Sequence, residues 1–494
     1  MAEAPTPQPF LDWYGIFAGS TSIDDGEVWY QGIPAGVRLA VQPASKSEVF
    51  IRAETPWEQG GLTPQIAVYA DDVIKLWYIT RGEGDGQPSY IAYAESDDGF
   101  TWRRPEVNLT EFEGSTANNL LFDYKEFELQ SVFFDPSAAP ESRYKGMGRS
   151  AITYLNGEVV TVTRDRKWEI RHEMEAAGLT PEERAEAFYS EGLLRGATSP
   201  DGVHWKFLDE PLLNVGRTGL DSHNIAAYDS DTGTYAGYLR GHQDRRRVVR
   251  RTEGKEFANW SPTRPVFALD PQDPLSDDIY ASAYCRSPGS GRHLMFPAIY
   301  HRERGDIDLQ LATSRDGLLW SRPERVPILS REPEGYGMLF AFPEIVPLDD
   351  ETWGLMFIGQ FDLHDWNDRF DPGRKPAWRW ATWKRDRLVA LEAEVEGQVI
   401  VVERECTGTE LQINYQTRKE GGWIKVELVE PPTSPAKPIQ AFPGFSFEEA
   451  DPLSGDELAR TVTWNGKSDL SSLRGRKVAV RLHMSRAKLF STSL

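Results

Sequence analysis

The chain has 494 residues, of which 39% are hydrophobic and 12% aromatic, a composition typical of a folded protein long enough for two domains. Its formal net charge of −21 weighs against binding to nucleic acid or to an anionic membrane, since both are negatively charged. The two cysteines, Cys285 and Cys406, are too few and too far apart in sequence for a disulfide framework or a metal cluster.

The amino-terminal sequence shows no basic segment followed by an apolar core. No run in the chain approaches the roughly 18 apolar residues that a membrane-spanning helix needs. We therefore expect a cytoplasmic protein, or a secreted one whose leader has been removed.

A short motif, Ser-x-Asp-Gly-x-x-Trp, occurs three times, at 96–102, 199–205 and 314–320. Asp followed by Gly favours a tight turn, because Asp bonds to nearby backbone N–H groups and Gly adopts positive φ. A degraded fourth copy lies between Val248 and Pro262 and keeps its tryptophan. Each copy follows a strand-like run, so we interpret the motif as a repeated structural turn and not as a catalytic element.

Five pairs of strand-like runs, each pair separated by an Asp, Gly or Pro turn, indicate antiparallel hairpins between about residues 45 and 390. Short strands that recur in this way are typical of a propeller, in which each blade packs on the next. The sequence therefore predicts an all-β chain whose residues 1–390 form a five-bladed β-propeller. The paired runs are 66–69 with 76–79, 131–134 with 144–147, 225–228 with 235–238, 280–284 with 293–296, and 342–346 with 353–357.

Two segments depart from this pattern. Residues 165–194 are predicted to be a helical insertion in blade two, because Thr180 and Glu183 form a capping box with Pro181 at the first helical position. From 391 to 494, alternating strand-like runs separated by turn clusters predict a β-sandwich accessory domain.

Two copies of the turn motif lead into Arg-Pro, and the closing run Trp464–Leu470 is followed by a strand-like run at 487–490. In these features the chain resembles glycoside hydrolase family 32 and, more loosely, families 43, 68, 117 and 130, along nearly its whole length. The resemblance implies a propeller with an appended sandwich that cleaves a furanoside such as a fructosyl or arabinosyl unit. The Trp-Met-Asn-Asp-Pro-Asn-Gly, Arg-Asp-Pro and Glu-Cys signatures of family 32 are absent, and Phe133-Phe134-Asp135-Pro136 lacks the arginine. The resemblance therefore assigns no catalytic residue.

Glycoside hydrolysis needs two carboxyl groups, one as an acid and the other as a nucleophile or as a base for water. In a propeller the first residues of each innermost strand line the central funnel, so acids at those positions are the candidates. Asp221 and Asp278 rank first, since polar or aromatic side chains follow each of them in sequence. The structural alternatives are a cap at the strand entry for Asp221, a solvated loop for Glu54 and Glu58, and half of an ion pair for Glu344. The catalytic candidates are Glu54, Glu58, Asp221, Asp278 and Glu344, with Glu128 as a sixth.

Side chains suited to a sugar adjoin these acids, because aromatic rings stack on sugar faces and polar donors bind hydroxyl groups. The eight histidines show no spacing that marks a zinc site, and we predict neither a metal nor an organic cofactor. Structural calcium is left open, without a loop motif to support it. The substrate-binding candidates are Trp57, His223, Asn224, Tyr280, Arg52, Arg240 and His301.

The leading hypothesis is a glycoside hydrolase or transglycosidase that acts on a furanoside, with a small carbohydrate or oligosaccharide as its partner. One alternative is a carbohydrate-binding propeller without catalysis, which keeps aromatic platforms and loses the paired acids. Another is a phosphorylase or a lyase on the same fold, and a phosphorylase should gather Arg and His at the funnel. Retention or inversion depends on a carboxyl separation of roughly 5 Å or roughly 6.5–9.5 Å. A homo-oligomer also remains open.

Overall fold

The computed structural model describes residues 6–24, 27–84, 86–162, 164–217, 220–221, 223–364, 375–432 and 438–494. About half of these residues lie in strands and few lie in helices, as the sequence predicts, and the sheets have a propeller-like arrangement. No helix in the described ranges has both the length and the apolar character needed to cross a membrane.

The amino-terminal segment contributes strands to sheets built mainly from distant parts of the chain. β2 and β3 form a hairpin of their own, whereas β1 and β4 pair with strands that follow residue 388. β5 pairs with β29, so that Val49 lies opposite Arg379. The bounds are β1 (Gln8–Pro9), β2 (Ser20–Asp24), β3 (Glu27–Gln31), β4 (Arg38–Val41) and β5 (Ser45–Val49).

The first propeller unit is an antiparallel four-stranded sheet in sequential order. Its first two strands are joined by Asp71 and Asp72, both with positive φ, a conformation that Asp accepts more readily than most residues. The strands are β6 (Gly61–Ala70), β7 (Val73–Arg81), β8 (Ser89–Ser96) and β9 (Leu120–Asp123).

The second unit carries the helical insertion. β11 and β13 pair along twelve residues each and extend past the start of β10 as a two-stranded arm with the helices between them. The predicted capping box of Thr180 and Glu183 is present. The predicted helical range of 165–194 is wrong beyond Ala187, because 188–194 pair with β11. The elements are β10 (Glu128–Phe134), β11 (Tyr144–Leu155), β12 (Glu158–Val160), α1 (Arg164–Ala176), α2 (Pro181–Ala187), β13 (Phe188–Ser199), β14 (Lys206–Phe207) and β15 (Leu213–Gly216).

The third unit is again a sequential antiparallel sheet of four strands. Its long central hairpin ends in the sequence Arg245-Arg246-Arg247. The strands are β16 (Ile225–Asp229), β17 (Thr234–Gln243), β18 (Arg246–Gly254) and β19 (Arg264–Phe267).

The remaining propeller strands form one composite unit, and the predicted number of five blades is wrong, since the blade count is four. The fifth predicted pair of runs lies in a seven-stranded sheet that also contains Asp277–Ala281, where the fourth predicted pair begins, because Ile307 and Met338 pair in parallel. Residues 284–286, 293–295, 312–314 and 320–321 form a further four-stranded sheet. Interruptions of the strands at 282–283, 296–297 and 310–311 separate it from the seven-stranded sheet. The strands are β20 (Asp277–Ala281), β21 (Tyr284–Arg286), β22 (His293–Met295), β23 (Ala298–His301), β24 (Asp306–Leu309), β25 (Ala312–Ser314), β26 (Trp320–Ser321), β27 (Met338–Pro347), β28 (Thr352–Gln360) and β29 (Ala377–Lys384).

The carboxyl-terminal strands form one continuous antiparallel sheet together with β1 and β4. The predicted β-sandwich of two sheets is not confirmed, because the long strand β34 pairs with β30, β31 and β32 and joins them. The division of the chain at residue 390 stays a prediction. The strands are β30 (Val389–Glu405), β31 (Gln412–Thr417), β32 (Trp423–Val429), β33 (Asp456–Thr461) and β34 (Lys477–Ser493).

The repeated Ser-x-Asp-Gly-x-x-Trp motif joins neighbouring units. In the first copy, Asp98 accepts hydrogen bonds from two backbone N–H groups of its own turn, and Gly99 has a φ of +76°. The indole of Trp380 in the last unit donates to the Gly99 carbonyl at 2.9 Å. These contacts support the structural interpretation of the motif. The other copies repeat them, with Trp77 donating to the Gly202 carbonyl at 2.8 Å and Tyr238 to the Gly317 carbonyl at 3.0 Å.

Candidate functional site

The central strands β6, β10, β16, β20 and β27 all begin at one face of the propeller, which we call the upper face. The segments that precede or open four of these strands carry most of the predicted acids. The strands end around a cavity of about 560 Å³, which we call the lower cavity. The upper face and the lower cavity contain different candidates, and each is described in turn.

At the upper face, Glu58 is completely buried and its carboxylate is enclosed by donors. It accepts hydrogen bonds from the Tyr78 hydroxyl at 2.7 Å, from Arg104 Nε at 2.8 Å and from the backbone N–H of Glu54 at 2.8 Å. The Thr55 N–H donates at 3.1 Å. These four hydrogen bonds fix the Glu58 side chain at the turn before β6, and we assign it a structural role.

The residues around Glu58 are also occupied. Glu54 is exposed and pairs with Arg104 at 2.6 Å. The Trp57 indole donates to Asn119 at 2.8 Å and its ring packs edge-on against Phe112, so it does not form an open platform for a sugar. Arg52 is exposed, and its carbonyl accepts a hydrogen bond from Arg104.

Asp221 and Glu128 meet on one guanidinium group. Glu128 Oε2 lies 2.7 Å from Arg149 Nε, and Asp221 Oδ1 lies 3.6 Å from Arg149 Nη1. Asp221 also pairs with Arg240. The side chains of Asp221 and Glu128 are 56% and 36% exposed, so both are accessible to a ligand. Because they share one guanidinium, their carboxyl groups lie within the ~10 Å that paired-carboxylate chemistry requires.

The segment after Asp221 enters the centre of the propeller. Asn224 is buried and donates to the Asp221 carbonyl at 2.7 Å. His223 has a φ of +65° and lies against the rings of Phe340 and Phe342 on β27. Burial lowers the pKa of His223 to about 4, so its imidazole is neutral at physiological pH.

Asp278 and Tyr280 form the adjoining part of the upper face. Asp278 is buried, accepts the backbone N–H of Arg247 at 2.9 Å and pairs with Arg302. The Arg247 guanidinium carbon lies 4.5 Å from the Tyr280 ring centroid, and that of Arg240 lies 5.7 Å away. Asp221 and Asp278 are therefore linked through Arg240, Tyr280 and Arg247. Asp278 orients Arg247, and its burial leaves it less accessible than Asp221.

His301 belongs to a charged network at the start of β20. Its Nδ1 lies 2.8 Å from Asp277 and its Nε2 lies 3.0 Å from Asp308. Burial lowers the pKa of His301, but its hydrogen bond to Asp308 and the charge of Asp277 outweigh burial and raise it above the ordinary value. An imidazole held between two carboxylates is a structural bridge. Within the described ranges no group of three His, Cys, Asp or Glu side chains is arranged to hold a metal ion.

Glu344 lies apart from the other acids, in the lower cavity, where Val68, Phe133 and Ala227 form apolar walls. Its φ is +74°, at an irregularity in the pairing of β27 with β28. Burial raises its pKa to about 7. Strained backbone and a shifted pKa are both frequent at functional sites. None of the other predicted acids lines this cavity.

The structure thus brings together Asp221, His223, Asn224, Tyr280 and Arg240 at the upper face, with Asp278 beneath them. It separates Glu344 from this group and gives Glu58 and His301 structural partners. Arg149, Arg247 and Arg302 were not predicted. For Arg247 a signal was present, because three consecutive arginines at a hairpin tip are unusual in a chain of net charge −21.

The comparisons with known proteins give distant likenesses only. No protein-family model matches the chain, and no curated protein matches it. A sucrose-6-phosphate hydrolase from Lactobacillus gasseri is similar at a TM-score of 0.38 and 10% identity, over 91% of this chain and 93% of that one. A fructofuranosidase from Schwanniomyces occidentalis complexed with fructosylnystose has a TM-score of 0.34 and 11% identity, over 90% and 96%. An alpha-L-arabinanase from Penicillium chrysogenum has a TM-score of 0.35 and 11% identity, over 66% and 84%. At these values the likenesses do not bear on function.

Proposed function

We propose that the chain is a glycoside hydrolase or transglycosidase that cleaves a furanoside at the upper face, with Asp221 and Glu128 as its two carboxyl groups. The observation that carries the proposal is their attachment to the single guanidinium of Arg149. The turn motifs and the closing run, which resemble glycoside hydrolase family 32, support the choice of a furanosyl unit such as fructosyl or arabinosyl.

The roles follow from the contacts of each carboxylate. Asp221 touches both Arg149 and Arg240, which position its carboxylate at the upper face, and we assign it the role of nucleophile or of base for water. Glu128 is bound at one oxygen, Oε2, and its other oxygen is available for proton transfer to the leaving group. His223, whose pKa is lowered by burial, is neutral and provides a hydrogen bond to a sugar hydroxyl.

Release of product from aryl and oligomeric furanosides tests the proposal. We expect Asp221→Asn and Glu128→Gln each to reduce kcat/KM by at least about 100-fold, the range typical of an acid or base in proton transfer. Asp231→Asn is the matched control, because Asp231 is an exposed aspartate paired with Arg286 beside the lower cavity. Full activity of both upper-face variants would overturn the proposal, and so would an equal loss in the control.

A further inference from the structure

The hairpin of β17 and β18 places two arginines side by side at the upper face. Arg240 and Arg247 both approach the ring of Tyr280, and Arg302 pairs with the Asp278 carboxylate that accepts the Arg247 N–H. Asp221 partners Arg240. Among the described residues the Arg247 guanidinium has no carboxylate partner. The guanidinium groups of Arg240, Arg247 and Arg302 therefore surround the carboxylates of Asp221 and Asp278, and within the described ranges Arg247 is the arginine that pairs with neither.

Both arginines also contain donors that are not used. Arg240 Nε and Arg247 Nη1 are buried, and neither donates a hydrogen bond to an atom of the described residues. A buried donor without an acceptor costs roughly 1–3 kcal/mol, and more when the group is charged. Such groups are kept where a ligand supplies the missing acceptor.

The electrostatics of the neighbourhood agree with this geometry. Burial and the charge of Arg240 lower the pKa of Arg247, against the opposing influence of Asp278. The pKa of His242, on the same hairpin, is lowered by burial and by Arg240 and Arg247. The groups around Arg247 therefore repel positive charge and attract an anion.

We propose that Arg240 and Arg247 form a subsite for a phosphate group beside Asp221. A phosphate offers three strong acceptor oxygens, which match unused donors on two separate guanidinium groups, and arginine is the residue best suited to such recognition. The phosphate is either an ester on the sugar or inorganic phosphate. This inference builds on the function proposed above and names a chemical group that its ligand carries.

The two sources predict different reactions. If the phosphate is an ester on the sugar, it orients the substrate and water remains the acceptor. If it is inorganic, a phosphate oxygen forms a bond to the anomeric carbon while the glycosidic C–O bond breaks. The leaving oxygen then takes the proton of the acidic carboxyl group, and the products are a sugar phosphate and a free alcohol.

Titration calorimetry of the full chain at constant ionic strength tests the subsite, with inorganic phosphate, a hexose 6-phosphate and the same hexose without phosphate as probes. We expect wild type to bind at least one phosphate probe and Arg247→Gln to bind it at least tenfold more weakly. Arg315→Gln is the matched control, because Arg315 also lies over a tyrosine ring but has Asp12 as its partner. Equal binding by wild type and Arg247→Gln, or binding of a uronate and of neither phosphate, would overturn the inference.

Thermal unfolding separates loss of binding from loss of folding. Removing a half-buried charge that pairs with neither carboxylate should raise the Tm of Arg247→Gln without ligand, and phosphate should raise the Tm of wild type only. A lower Tm for Arg247→Gln without ligand, together with unchanged binding, would contradict the subsite.

Asp221→Asn distinguishes this inference from the proposed function. It should abolish turnover but bind phosphate more tightly, because Arg240 loses its carboxylate partner. Turnover by wild type without any phosphate binding would overturn the subsite and leave the proposed function standing. Phosphate binding without turnover of any furanoside, with or without inorganic phosphate, would overturn the proposed function and leave the subsite standing.

Discussion

At the upper face the Glu58 carboxylate is enclosed by an arginine, a tyrosine hydroxyl and two backbone N–H groups. At the lower cavity, Val68, Phe133 and Ala227 form apolar walls near Glu344, and burial raises the pKa of its carboxyl group to about 7. Both groups are glutamates next to central strands of the same propeller. The difference shows that two buried glutamates of one fold can have very different sets of hydrogen-bond donors around them.

At the upper face, Glu58 is therefore held by hydrogen-bond donors, whereas the lower cavity contains a carboxyl group whose pKa lies near neutral pH. The lower cavity is a pH-sensitive part of the fold, and its titration affects stability. The following predictions test this contrast, from the largest expected effect to the smallest.

Arg104→Met should lower the free energy of unfolding by about 3–5 kcal/mol, because it leaves the buried Glu58 carboxylate without its cation. Arg103→Met is the control on the adjacent residue, since its pair with Asp97 is exposed and should contribute little to stability. Urea denaturation of both variants measures the difference. Losses of similar size would mean that Glu58 is not held by Arg104 in the way described.

Glu344→Gln should remove a pH dependence of stability at the lower cavity. The pKa of Glu344 is raised from an ordinary 4.5 to about 7, so the folded state favours its neutral form. In wild type this contribution is complete below pH 4.5 and is lost as the pH rises through 7, amounting to about 3 kcal/mol. We expect equal stability of the two proteins near pH 4 and a more stable variant at pH 8. Urea denaturation between pH 4 and pH 8 measures both stabilities. A constant difference in the free energy of unfolding between wild type and variant across this range would contradict the raised pKa.

His223→Asn should act in the opposite direction at the upper face. Burial lowers the pKa of His223 from 6.5 to about 4, so the folded state favours the neutral imidazole. Its contribution is present above pH 6.5 and is lost as the pH falls through 4, which amounts to about 3 kcal/mol. Asn tolerates the positive φ at this position, so the variant isolates the titration from the backbone. Urea denaturation should give the variant similar free energies of unfolding at pH 4 and pH 7. A wild-type protein that is no less stable at pH 4 than at pH 7 would contradict the prediction.

The features that were predictable from sequence depend on neighbouring residues. The capping box at Thr180 and the turns at Asp98, Asp201 and Asp316 are recognisable because each needs only residues within one short segment. The paired runs likewise identify the hairpins. The blade count was not predictable in this way, because it depends on the pairing of Ile307 with Met338, far outside any local pattern.

The candidate site was predictable only in part, because some of its contacts join residues that are distant in sequence. Asp221 could be found because it directly precedes an apolar strand. Arg149 could not, since it lies in the second strand of its unit and meets Asp221 only when two units pack together. The lone position of Glu344 depends on the side chains of three other strands, none of them near it in sequence.

The pairing of β5 with β29 has a consequence for the order in which the molecule is made. Val49 and Arg379 are neighbours in the sheet, so the ring closes only after the intervening ~330 residues have been synthesised. At about 5–20 residues per second, translation of that stretch takes on the order of 15 seconds to a minute. During this time both edges lack their partners, and unpaired strand edges are the parts of a nascent chain most prone to aggregation. Such a non-local closure also slows folding, because the entropy of a long loop is lost before its contacts form.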